Sequence, residues 1–199
     1  MATASPTIEQ KDLIPFSTYK KNREDYIRKM IAYKNARRVR LDPNVSLLFE
    51  NRQTVFFQIQ ELVYSEDLTD SDEIKEYIDI YSTMLPGVNE LSATLFIEID
   101  NQSLLEQFLM KMKGIEHTLF MKVGDETVQA VFEEEHNERE FTTSVHYIKF
   151  PLTENVKSYL TGTAPESAKV SILLDHEALR AEVVLSADAV KSLQADLSE

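Results

Sequence analysis

The sequence predicts an α+β fold, in which N-terminal helices pack on an antiparallel sheet built from hairpins and a C-terminal helix closes the chain. Three observations lead there. Apolar residues recur at helical spacing up to about residue 85, then alternate with a period near two from about residue 90. Short turn signals separate the alternating runs, so successive strands pair as hairpins. Hydrophobic residues make up 43% of the 199, enough to bury a core. We expect one domain over 1–199, with a helical part at about 17–85, a sheet part at about 90–185 and a last helix at about 186–197.

Taken in order, Ser17 or Thr18 offers a cap for a helix from about 19 to 37, with Tyr19, Tyr26, Met30 and Tyr33 near one face. Pro43 disfavours helical geometry at Asp42 and breaks it. Asn44 or Ser46 is then placed to cap a second helix, "FENRQTVFFQIQELVYSE", over 49–66. "TDSDEIKEYIDIYSTMLPG" carries caps and acids in its first turn and sets Ile74, Tyr77, Ile78 and Tyr81 on one side before Pro86-Gly87 ends it. "ELSATLFIEID" (90–100) reads as a strand and "SLLEQFLMKMKG" as a short helix stopped by Gly114. "HTLFMKVGDETVQAVFEEE" reads as a hairpin turning at Gly124-Asp125, followed by the strand "REFTTSVHYIKF". Thr153 caps a short helix, "KVSILLDHEALRAEVVLS" forms a second hairpin turning near His176-Glu177, and Ser186 caps the closing helix.

Composition narrows the function. Glycine occurs only at 87, 114, 124 and 162, and no glycine-rich phosphate loop is present. Without cysteine the chain forms no disulfide, thiolate nucleophile or cysteine-ligated cluster, which fits a reducing, cytoplasmic setting. The start lacks the pattern of a secretory leader, and no apolar run is long enough for a membrane span, so no membrane partner is expected. The net charge of −13 is uneven. Residues 20–40 hold nine Lys or Arg against two acids, a net +7, leaving −20 on the rest. Such a basic segment either docks on an acidic partner or packs against the chain's own acids. A pI near 4.8 makes nucleic acid an unexpected main partner, although the basic helix keeps it as an alternative.

On the expected second helix, Leu48, Val55, Ile59 and Leu62 form one apolar stripe, and Phe49, Phe56 and Val63 a second. Glu50, Thr54, Gln58 and Glu61 form the polar edge, while Arg52 and Glu66 lie close to the first apolar stripe. Either the edge is solvated, or Glu50, Arg52, Gln58 and Glu61 line a pocket against the sheet, where paired carboxylates can hold a cation or move a proton. Of the four histidines, His146 sits mid-strand, where a ring must be hydrogen-bonded or face a cleft, and it completes this candidate pocket. No cofactor is expected. A metal held by Glu50, Glu61 and His146 is the low-ranked alternative. Glu133-x-x-His136 has di-iron spacing, but lies at an acidic hairpin tip without a second pair.

The stretches "ARRVRLDPNVSLLFENRQTVFFQIQEL" (36–62), "LPGVNELSATLFIEI" (85–99), "SVHYIKF" (144–150) and "LLDH" (173–176) resemble a bacterial family called domain of unknown function 3501. The chain departs from the family's pattern at Leu41-Asp42-Pro43, where a glycine-containing turn is expected, and at Glu177, which replaces a proline. The resemblance implies genes beside a rubrerythrin-like protein and an iron–sulfur oxidoreductase, hence a redox or oxidative-stress role and a redox protein as partner. It also implies that the matched polar residues Arg37, Arg38, Glu50, Asn51, Arg52, Gln58, Gln60, Glu61 and His146 act together, as a polar network fixing the helix against Arg37 and Arg38 or as a partner-binding set. The expectation is therefore a non-enzymatic binding or accessory protein. The sequence leaves its oligomeric state open.

Overall fold

The computed structural model describes residues 7–133 and 141–198. Helix α1 (Phe16–Arg37) starts after Pro15, with no side-chain cap from Ser17 or Thr18. The chain then turns back on itself as a hairpin, β1 (Arg38–Asp42) and β2 (Val45–Glu50), before α2 (Arg52–Ser65) and α3 (Ser71–Ser82). β3 (Glu90–Ile97), α4 (Gln102–Lys111), β4 (Leu119–Val123), β5 (Glu126–Gln129), β6 (Val131–Phe132) and β7 (Val145–Pro151) follow. The chain ends through α5 (Glu154–Gly162), β8 (Val170–His176), β9 (Leu179–Val184) and α6 (Ala187–Asp196).

The class is α+β, with two antiparallel sheets in place of the one expected. One runs β1-β2-β3-β7-β6 and the other β5-β4-β8-β9. Both expected hairpins form, β4–β5 and β8–β9. Gly124 takes φ +58° in the first turn, the left-handed region that glycine enters without steric cost.

The second helix is expected over 49–66, yet Phe49 and Glu50 lie on β2 and the helix begins at Arg52. The reason is visible in burial. All six residues of β2 are buried because both of its faces are covered, so apolar residues sit at adjacent positions, Leu47, Leu48 and Phe49, rather than alternating. Val45, Leu47 and Phe49 join Leu91, Leu95, Ile148 and Phe150 in the core between the sheets, closed by Leu109 of α4, Met112 just after it, Leu160 of α5 and Leu193 of α6. The opposite face of the first sheet meets a second core made by Val55, Ile59 and Val63 of α2 with Ile74 and Ile78 of α3. Asn51 turns strand into helix. Its side-chain oxygen accepts from Gln53 N–H at 3.0 Å and Thr54 N–H at 3.1 Å, while its own N–H donates to Thr54 Oγ1 at 2.9 Å.

Candidate functional site

Helix α1 runs antiparallel to α2 across a groove of about 360 Å³. One end is set by Tyr19, whose hydroxyl donates to Glu61 at 2.5 Å, and the other by Tyr33, whose hydroxyl accepts from Asn51 Nδ2 at 2.6 Å. Tyr19, Tyr26, Met30 and Tyr33, the predicted face of α1, all line it with Lys29. From α2 come Arg52, Gln53, Phe56, Phe57 and Gln60, and Ile14 closes one side. Gln60 fastens that side by a two-way bond, its Oε1 accepting from Ile14 N–H at 2.7 Å and its Nε2 donating to Ile14 O at 3.2 Å. Arg52 does likewise, donating to Thr7 O and pairing with Asp12, each at 2.9 Å. Glu61 receives two hydrogen bonds from Arg23, at 2.9 and 2.7 Å. Burial pushes the Glu61 carboxyl up, but the bonds from Arg23 and Tyr19 outweigh it and hold it below its usual range. Burial, together with Glu61, pushes the Tyr19 phenol well above its usual value.

Below the groove lies a buried charge network. Arg37, 1% exposed, pairs in bidentate fashion with Asp196, at 2.5 Å through Nη2 and 3.2 Å through Nη1, and donates to the carbonyls of Phe49 and Glu50. Asn51 Nδ2 donates to the same Asp196 at 2.7 Å and Ser192 Oγ accepts from Arg37. The network thus ties α1, the β2–α2 junction and α6. Arg38 stays outside it, donating to Ser46 Oγ at 2.9 Å beside the Phe96 ring.

The expected pocket residues are divided. Glu50 pairs with Ser92 in register, and His146 with Leu95. Ser92 and Leu95 are an odd number apart on β3, so Glu50 and His146 point to opposite faces of the sheet. Glu61 and Arg52 lie on the α1 side of α2, and Gln58 is half-buried on α2. The alternative metal set of Glu50, Glu61 and His146 therefore does not converge. His146 is buried against Phe132 with Thr142 Oγ1 3.0 Å from its Nε2, a core position rather than a cleft. Glu50 is 3% exposed. Its Oε1 accepts from Thr94 at 2.9 Å, and its Oε2 has no hydrogen-bond partner among the described residues. Lys34, near Glu50, is pushed down by burial and only partly restored by that carboxylate. His136 of the acidic tip lies outside the described residues. His176 is buried, accepting from Ala178 N–H at Nδ1 and donating to Lys113 O from Nε2.

Asn51 is where the resemblance placed it, whereas Tyr33, Ser192 and Asp196 form the network's unforeseen part. For Asp196 no local signal exists, because it lies 159 positions from Arg37.

A family described as "Protein of unknown function (DUF3501)" matches residues 7–197. A crystal structure of a novel protein of unknown function from Burkholderia pseudomallei K96243 is 32% identical, with a TM-score of 0.88 over 96% of this chain and 100% of that one. No curated protein matches.

Proposed function

The chain belongs to the DUF3501 family of proteins of unknown function, and from that membership we propose that it is a non-enzymatic binding or accessory protein that docks a redox partner through α1. The supporting observation is the exposure of that helix. Of its 22 residues only Tyr19 and Arg37 are buried. Lys21, Glu24, Arg28 and Ile31 share the face turned away from the groove, because they recur at helical spacing. Ile31 is 57% exposed, an apolar anchor on the face that carries Lys21 and Arg28. Arg23, Arg28 and Arg37 are engaged by the protein's own acids, Arg28 by the exposed Asp25, whereas Lys20 and Lys21 form no ion pair among the described residues.

A basic face on a chain of net charge −13 orients an acidic partner, which is repelled elsewhere and attracted here. The expected partner, from the family's implied neighbours, is an iron–sulfur oxidoreductase or rubrerythrin-like protein of the cytoplasm. Pull-down at low salt should recover a complex with one of them. K21E together with R28E should weaken it about tenfold or more, as expected for two reversed rim charges. Repeated failure to recover any complex would count against the reading. Nucleic acid on the same helix is the competing occupant, and absence of DNA or RNA retention at about 50 mM salt removes it.

A further inference from the structure

We propose that the groove between α1 and α2 is a binding site for a small apolar carboxylate bearing a planar ring, with the ring among Tyr26, Phe56 and Phe57 and the carboxylate at Lys29 and Arg52. The volume, about 360 Å³, lies within the roughly 300–1,000 Å³ typical of small-molecule sites. Aromatic faces and edges accept a ring in offset or edge-on packing, which adds to the area buried.

The polarity of the groove selects the head group. No acidic residue lines it among the described residues. The acids nearest its walls are already engaged, Asp12 by Arg52 and Glu61 by Arg23 and Tyr19. What faces the groove is a set of donors. Lys29 makes no ion pair among the described residues, Gln53 presents an exposed amide, and Arg52 keeps its Nη1 donors. Tyr33 accepts from Asn51 and so retains its own proton to donate. The antiparallel run of the helices, Tyr19 by Glu61 and Tyr33 by Asn51, brings Lys29 toward the Arg52–Gln53 end. Donors therefore gather at one end of an aromatic trough, the arrangement that an apolar anion fits and a cation does not. This site is on the side of α1 opposite its docking face, so it stands independently of the redox partner.

Titration calorimetry on the unmodified protein with 4-butylbenzoate, 4-butylbenzyl alcohol and decanoate tests it. The chain has no tryptophan, so Tyr26→Trp adds a single emitter that reports whether the ligand enters the groove. The expected result is saturable 4-butylbenzoate binding about tenfold tighter than the alcohol, a difference of roughly 1.4 kcal/mol, with a shift in the emission of the introduced tryptophan. Lys29→Glu, an exposed substitution, should abolish that preference by weakening 4-butylbenzoate binding. Equal affinity for acid and alcohol, an unaffected K29E variant, or no saturable binding up to about 1 mM, the weak end of specific affinity, overturns the site. Decanoate binding as tightly as 4-butylbenzoate overturns the requirement for a ring.

Discussion

Arg37 has no exposed side-chain surface and Asp196 only 5%, so this ion pair is held in a medium where either partner alone is costly. Asp196→Ala leaves a buried guanidinium without its carboxylate, and we expect a loss of about 3–5 kcal/mol in urea denaturation. Glu61 is a different case because it is partly solvated. Its carboxyl is held below its ordinary range, so its pairing stabilises the fold above the unfolded value of about 4.3 and that contribution is lost as pH falls through the lower folded value. Glu61→Gln should therefore flatten the acid limb of the stability profile, measured as melting temperature against pH, with little change in how stability varies above about pH 6. At Glu50 the sign of a neighbour's response is the test. Glu50→Gln removes the charge that raises Lys34, so the Lys34 amine should titrate lower still, as read by NMR of its ε-methylene group.

At the level of elements, the junction at Asn51 and the turn at Gly124 each rest on one residue. Asn51→Ala removes the cap of α2 and its bond to Asp196 together, and should cost about 2 kcal/mol, the upper end for a cap. Gly124→Ala places a Cβ 3.1 Å from the Tyr159 ring at a backbone angle that alanine resists. A cost of about 1–2 kcal/mol follows from the left-handed conformation alone. Both are measured by denaturant midpoint. Helix α1 shows how an element can serve two surfaces, since the period of 3.6 puts the tyrosines inward on the groove and Lys21, Arg28 and Ile31 outward.

For the molecule as a whole, the two ends of the chain are interdependent. α6 supplies Val190 and Leu193 to the core between the sheets and Asp196 to the α1–α2 junction. Truncation after Leu185 should therefore abolish cooperative thermal unfolding and loosen α1, seen as loss of near-ultraviolet ellipticity, rather than merely shorten the protein. Substitutions confined to the outer face of α1 should leave the melting temperature within about 0.5 kcal/mol equivalent of the parent, because they touch no buried group.

Local rules carried the sequence as far as the caps at Thr153 and Ser186, the β4–β5 and β8–β9 hairpins and the tyrosine face of α1, since each depends on residues within a few positions of one another. They failed at β2. Covering both faces of a strand erases its alternation, and nothing nearby distinguishes such a run from a buried helix. The polar residues of the 49–62 block were legible as a group, but not their destinations. The pairing register sends Glu50 and His146 to opposite faces, the turn at Asn51 sends Arg52, Gln60 and Glu61 toward α1 and the N-terminal segment, and α6 returns Asp196 to Arg37. Those are facts of strand pairing and long-range packing, and a one-residue change in register would reverse the faces without altering the composition of the block.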